Sequence, residues 1–265
     1  MRESDPVIDA KALFAGIIKK CKPDCILDVG SRDGDQSLFF RDLAPEAYVA
    51  AFEANPANYR AMLSRNLERC RIEVYPYAAT NSNGVATFYV ADPACDPQAL
   101  GASSLLPGAY ALKEKIEVET RRLDDFILEH YPDVKRIALW VDVECAEYQV
   151  LEGISKIKDR VIAVHTETSL KPVRENQKTF AQLTELLKSW GFIFCGSTIQ
   201  KHYTGGDVVY LNAKIKSDMG ISYRFCFLRA FVYRFFPFGK CAVYLRRQFP
   251  PLYRFLRGIY IRFAT

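Results

Sequence analysis

The chain has 265 residues, 49% of them hydrophobic and 25% charged, which excludes a largely disordered polymer and is long enough for one sizeable α/β domain with an appendage. The net charge of +5 is unevenly spread, because nine of the 36 Lys and Arg residues and none of the 31 Asp and Glu residues lie in 222–265. The remaining 27 basic groups face 31 acidic ones, so the basicity does not point to a nucleic-acid-binding body.

The start, Met1 to Pro6, carries charges and a proline rather than the apolar core of a signal peptide. No apolar run reaches the roughly 18–20 residues that would cross a bilayer. Eight cysteines lie scattered at 21, 25, 70, 95, 145, 195, 226 and 241, without metal-ligand spacing. Several sit in apolar runs, where a thiol acts as a small hydrophobe. A reducing cytoplasm is the expected compartment, with the chain read as neither secreted nor membrane-spanning.

Residues 1–24 read as a helical lead-in and 25–216 as the main domain. Within it, strand-length runs occupy Cys25–Gly30, Tyr48–Glu53, Ile72–Ala79, Ile137–Val143, Val161–Thr168, Phe192–Ser197 and Asp207–Asn212. Their Val, Ile, Leu and aromatic content with few charges suits strands buried on both faces of a parallel sheet. Helical segments are expected at Gln36–Leu43, Pro56–Arg69, Ala146–Ile157 and Glu175–Trp190; the last carries Phe180, Leu183, Leu186, Leu187 and Trp190 at helical spacing. This alternation predicts a doubly wound, Rossmann-like α/β sheet of about seven mostly parallel strands with helices on both faces. A turn at Asn81–Gly84 leads into a further short strand, Gly84–Val90, and Asp92–Gly108 is a long loop of the length that often carries function.

Residues 217–265 form a basic aromatic extension, with fourteen Phe or Tyr among the nine cationic residues of 222–265. Phe225, Leu228, Val232 and Phe235 share one helical face; Leu252, Phe255, Leu256, Ile259 and Phe263 share another. Such a helical tail suits peripheral adsorption to an anionic membrane surface. Packing on the domain or an oligomer contact are its other uses.

Three segments carry candidate chemistry. In Ile26–Ser37 a buried strand enters a turn with Gly30 and Gly34, then a helix. Gly30 permits a tight turn and close ligand approach, while the helix offers free N–H groups. The Gly30-x-x-x-Gly34 spacing lacks the third glycine of a dinucleotide site and the lysine of a phosphate loop, and the surrounding carboxylates suit a ligand bearing an ammonium and a sulfonium. Glu53 follows Gly30 by 23 residues, near the offset at which an acidic side chain reaches ribose hydroxyls; because offset and motif agree, this reading is preferred over a solvated strand-end carboxylate. Asp142 and Glu144 end an apolar strand at the sheet edge where such folds bind ligands, and His165 and Glu167 end the next. Burial there would raise a carboxylate's pKa toward values suited to accepting a hydroxyl proton. For His165 a satisfied histidine at the sheet edge weighs about equally with a catalytic role, and Glu147 is expected to face solvent on the helix that follows.

These pieces, with Phe52–Pro56, Gly101–Leu105, Arg122–Phe126, Val141–Glu144 and Val150–Gly153, occur in consistent order over roughly residues 20–212. In that order the chain resembles the FkbM-type family of S-adenosylmethionine-dependent methyltransferases. The resemblance implies a seven-stranded sheet with its last strand antiparallel, and methyl transfer to an oxygen, usually a hydroxyl of a sugar or natural product. It implies Asp28, Gly30, Gly34 and Glu53 at the S-adenosylmethionine, with Ser31, Ser37, Asn55 and Ala79 taken as further cofactor neighbours. Asp142 and Glu144 then lie beside the reacting centre, with His165 as a third candidate base and Ser103, Ser104 and Glu167 on the acceptor side. The family usually has a glycine where this chain has Cys145, which strains the turn if that position takes a positive φ. A metal-free base is preferred over a magnesium ion held by the carboxylates. An NAD(P)-dependent oxidoreductase and a catalytically inactive scaffold with a working tail are the rival expectations.

Overall fold

A computed structural model of the chain describes residues 9–108, 110–199, 204–215 and 251. The stretch 222–265, and with it the membrane-surface expectation, lies almost wholly outside the described residues. No helix among the described residues is long and apolar enough to cross a membrane.

The strands are β1 (Cys25–Val29), β2 (Tyr48–Phe52), β3 (Ile72–Tyr75), β4 (Ala78–Ala79), β5 (Gly84–Ala91), β6 (Leu112–Arg121), β7 (Ile137–Val141), β8 (Val161–Ser169), β9 (Phe192–Ser197) and β10 (Gly205–Asn212). The helices are α1 (Ala10–Cys21), α2 (Asp35–Leu43), α3 (Pro56–Ser64), α4 (Leu123–His130), α5 (Glu147–Glu152) and α6 (Phe180–Ser189). Seven strands form one sheet in the order β3-β2-β1-β7-β8-β10-β9. All pairs are parallel except those of β10, which runs antiparallel to both β8 and β9. The order reverses direction outward from β1, and in open α/β sheets ligands bind at such a switch point, at the strands' carboxyl ends.

Every residue of β1 and β7 is buried, and their side chains alternate between two cores. One face sets Leu27, Val29, Phe52, Leu139 and Val141 against α4, α5 and α6. The other sets Ile26, Ala51, Ala138 and Trp140 against α1 and α2, with Phe14 and Phe40 as its large side chains.

Three expectations need correction. The run Ile72–Ala79 is two strands of two different sheets, because Pro76 has no N–H to continue the ladder. Strand β6, not anticipated, pairs with β5 and with β4 in a small three-stranded sheet. The last helix begins at Phe180 rather than Glu175, where Gln182 accepts a hydrogen bond from the Thr179 N–H (3.0 Å) and so closes a capping box.

The sheet delivers three residues side by side. Val29 is in register with Phe52 and with Val141, so Gly30, Glu53 and Asp142 emerge together. The ladder continues into them: the Gly30 N–H donates to Phe52 O (3.0 Å), Glu53 N–H to Tyr75 O (3.0 Å) and Asp142 N–H to Val29 O (2.9 Å). Gly30 has φ +85, and a Cβ there would lie 1.8 Å from the Asp142 carbonyl oxygen. Gly191 has a nearly equal φ of +86 with nothing near an added Cβ. Gly30→Ala should therefore cost about 3 kcal/mol or more, combining overlap with backbone strain, against about 1 kcal/mol for Gly191→Ala. Denaturant midpoints at unchanged slope report the difference. Equal shifts would show that the Gly30 turn relaxes freely.

Candidate active site

A crevice of about 300 Å³ opens at the carboxyl ends of β1, β2 and β7. Of the expected cofactor and acceptor residues, Asp28, Gly30, Ser31, Glu53, Ala79, Ser103, Asp142 and Glu144 line it. Among the described residues, six acidic side chains and one arginine, Arg32, line it.

Asp28 forms the buried floor. Its Oδ2 accepts from Ser31 Oγ (2.7 Å) and Ser37 Oγ (2.5 Å), while Oδ1 has no partner. Burial pushes its carboxyl up to about 6 despite the two hydroxyl donors. Ser37 thus acts from behind, through Asp28. Gly34 also stands back from the crevice, at the N-cap of α2 with φ +85, where an added Cβ would meet Leu67. Glu53, only 6% exposed, accepts from the Arg32 N–H through Oε2 (2.7 Å) and from the Asn55 N–H through Oε1 (2.7 Å). The Asn58 side chain is a third donor to this carboxylate, which leaves it acceptor capacity for a further donor. Asn55 caps α3, its Oδ1 accepting from the Ala57 N–H (2.9 Å), and so shapes the wall without lining it.

At the end of β7 stands a cluster of carboxyls, of which Asp142 and Glu144 line the crevice and Glu167 does not. Asp142, Glu144 and Glu167 each bring one oxygen within 4.8 Å of the others. Burial is the first cause of every shift here and the neighbouring negative charges add to it. Asp142 rises to about 6, with Asp207 adding and Arg32 opposing; Glu144 rises to about 7, with Asp142 adding and Arg174 and Arg32 opposing. Glu167 rises to about 8, surrounded by Asp142, Glu147, Glu144 and Asp207. These groups titrate together, so the cluster gives up its protons across roughly 6–8.

The turn that presents Glu144 is strained. Glu144 has φ 57 and Cys145 φ 85, and left-handed backbone costs an L residue roughly 1–2 kcal/mol. Two contacts hold it. The Cys145 N–H donates to Glu147 Oε1 (2.9 Å), and Ser104 Oγ donates to the Glu144 carbonyl (2.6 Å). Glu147 is therefore buried at the start of α5, not solvent-facing. Ser104, expected on the acceptor side, is fully buried and supports Glu144 from beneath. Ser103 does line the crevice, its Oγ accepting from the Ala91 N–H (3.1 Å). Burial and the Glu147 charge push the Cys145 thiol up to about 12, so it stays protonated and is no nucleophile.

His165 does not line the crevice. It stacks on Trp140 (3.4 Å between ring centroids, 3° between planes) and meets Phe14 edge-on under α1. Burial and the Lys11 charge lower its pKa to about 3, and its Nε2 stands 3.9 Å from Asp207. A ring held neutral by its apolar neighbours is a weak proton acceptor, and this replaces the expected third base with a packing residue. Arg32 and Tyr77 line the crevice without having been anticipated. Arg32 follows the glycine turn directly and lies against Gly101, a contact that only the folded loop creates.

The strand order with a lone antiparallel β10, and a crevice at the switch point, define a Rossmann-like methyltransferase fold. The family description "Methyltransferase FkbM domain" matches residues 28–194, and the chain belongs to this family. It is similar to the 2-O-methyltransferase NoeI of Sinorhizobium fredii (strain NBRC 101917 / NGR234), with 28% identity over 183 residues, covering 65% of this chain and 74% of that protein. It is likewise similar to the methyltransferase sdnD of Sordaria araneosa, with 28% identity over 205 residues, covering 63% and 73%. Among solved structures, a methyltransferase FkbM from Methylobacillus flagellatus KT superposes with TM-score 0.46 at 16% identity, over 72% of this chain and 44% of that one.

A stability consequence follows from the cluster. Free Glu loses its proton near 4.5, whereas Glu167 keeps it to about 8 in the fold. The folded chain therefore binds more protons across that window, and stability falls as pH rises through it. Glu167→Gln should raise Tm at pH 8 by about 2–4 °C, the equivalent of about 1 kcal/mol, with no gain at pH 4. A lower Tm at pH 8 would mean that the ionised carboxylate has a favourable partner.

Proposed function

We propose that the chain is an S-adenosylmethionine-dependent O-methyltransferase acting on a hydroxyl of a sugar, glycan or natural product. The observation that carries this reading is a single crevice running from Asp28 and Glu53 to Asp142 and Glu144. A relative whose name specifies 2-O-methyl transfer supports oxygen as the acceptor atom.

The residues fit the cofactor. Glu53, with acceptor capacity left beside its three donors, suits a ribose hydroxyl. The partnerless Oδ1 of Asp28 suits an ammonium, and the bare Gly30 backbone admits a ligand closely. Ala78, Ala79 and Phe88 supply apolar surface on the opposite wall. Six carboxylic side chains against one arginine favour a cationic ligand and oppose the pyrophosphate of a dinucleotide. When bound, S-adenosylmethionine supplies a methyl group already activated on a sulfonium.

The protein's remaining tasks are alignment, exclusion of water and removal of one proton. An acceptor hydroxyl beside Asp142 and Glu144 passes its proton to a carboxylate oxygen as the oxygen gains the methyl group. A carboxyl held near 6–7 rather than near 4 is a stronger acceptor for that proton, and it is still ionised in a useful fraction at neutral pH. The three oxygens around Asp142 would also suit magnesium. The metal-free base remains the preferred form.

Calorimetry with S-adenosylhomocysteine and with NAD separates this reading from its rivals. Binding of the first alone is expected, weakened about tenfold or more in Glu53→Ala through loss of charged hydrogen bonds. Binding of NAD alone supports an oxidoreductase, and binding of neither supports an inactive scaffold. With labelled cofactor and candidate glycans as acceptors, the rate should fall as pH drops through about 7 to 6, as the base becomes protonated. Asp142→Ala/Glu144→Ala should abolish transfer while exhaustive chelation leaves it intact. Full transfer by the double variant would remove the assigned base, and loss on chelation would install the metal in its place.

A further inference from the structure

We infer that Arg174 is a positioning residue that holds Glu144 in place through the 102–108 loop, an assignment whose catalytic meaning rests on the methyl-transfer reading above. Arg174 lies between β8 and α6, is 5% exposed and does not line the crevice. Its guanidinium gathers three loop carbonyls: Nη1 donates to Leu106 O (3.1 Å) and Gly108 O (2.9 Å), and Nη2 donates to Ala102 O (2.5 Å). The group also lies over the Tyr110 ring, 5.7 Å from its centroid. Buried Gln177 fixes the arginine's own backbone, its Oε1 accepting from the N–H groups of Val173 (2.7 Å) and Arg174 (3.2 Å).

The clamped loop contains Ser104 between two of the gathered carbonyls. Ser104 Oγ accepts from the Leu106 N–H (3.0 Å) and donates to the Glu144 carbonyl (2.6 Å), while its backbone bridges to Tyr89. Glu144 and Cys145 both occupy left-handed backbone, a conformation that persists only when its surroundings over-determine it. The path is therefore continuous: guanidinium, loop carbonyls, Ser104 hydroxyl, Glu144 carbonyl. Buried loop carbonyls need donors, and a planar guanidinium meets three at once where a lysine's single nitrogen cannot match that spread.

Amide hydrogen exchange on the full chain tests this. In Arg174→Met, exchange at Leu106 and at Cys145 should each rise about tenfold or more, while the amides of β1 and β7 keep wild-type rates and S-adenosylhomocysteine affinity stays within twofold. Arg174→Lys should recover part of the protection. Ser104→Ala should release Cys145, and the double variant should release it no further than the more affected single variant, as expected for residues in one chain of contacts. With an active acceptor, kcat should fall about tenfold at unchanged KM for S-adenosylmethionine. Faster exchange throughout the sheet, release of Leu106 without Cys145, or a raised KM at constant kcat would each overturn the assignment. Should Arg174→Met fail to fold, Arg174→Lys and Ser104→Ala carry the same comparison. If the wild type transfers no methyl group, the functional reading fails, yet the exchange pattern still decides whether the clamp exists.

Discussion

The site depends on one close approach between backbones. With β2, β1 and β7 in register, the ladder carries one residue past each strand and sets Glu53, Gly30 and Asp142 in a row. The Asp142 carbonyl then occupies the space where any other residue at position 30 would carry its Cβ. That contact draws the end of β7 against the turn after β1. It brings the group assigned to the cofactor's sugar and the group assigned to the acceptor's proton into one crevice. The fold thereby solves an alignment problem with main-chain hydrogen bonds, which are rigid, rather than with long side chains, which are not.

The departure at Cys145 is absorbed by its surroundings. A glycine would adopt φ 85 without strain, whereas here Glu144 and Cys145 both sit in left-handed backbone. The Glu147 carboxylate and the Ser104 hydroxyl each fix one side of this turn. Burial of Glu147 is part of that support and carries its own electrostatic consequence. Its carboxyl rises to about 7, first through burial and then through Asp142 and Glu144. The strained turn and the raised carboxyls thus share a cause: residues are packed to hold Glu144, and the same packing removes the water that would let all of them ionise.

The sheet was legible because doubly buried strands read as apolar runs: β1, β2 and β7 consist of little else, and β8 opens with Val161–Val164. Glu53 and Asp142 were legible as carboxylates that terminate such runs. Strand β6 was hidden by its charge, since its outward face presents Lys113, Lys115, Glu117 and Glu119, while Ile116, Val118 and the polar Thr120 turn inward. A weak alternation was present, but one-sided burial leaves little apolar signal. His165 misled because it shares a face of β8 with Glu167, two residues on; it lies one step deeper along the strand, packed under α1 against Phe14 and Trp140, its register partner, whereas Glu167 stands nearer the carboxyl end. Ser104 and Arg174 lie 40 and 30 residues from Glu144 in the chain. Their roles arise from contacts that no local pattern encodes.

Matched sequence pieces need not all be chemical. Arg122 pairs with the fully buried Asp124 through two donors (2.9 and 2.6 Å), and the Lys156 N–H donates to the same carboxylate (3.1 Å). This network ties the start of α4 to the segment after α5. Gly153 serves the same junction, because an added Cβ would lie 2.2 Å from the Thr80 carbonyl oxygen. Both pieces stabilise the face of the sheet opposite α1 and α2, and neither lines the crevice. The shared order of motifs therefore covers two things at once: a scaffold that packs α5 against the sheet, and a crevice with an acidic lining. Only the second bears on what the protein binds. It rests on buried Asp28 and Glu53 and on Asp142 and Glu144 at the crevice's more open end, a set of acidic groups that opposes a pyrophosphate.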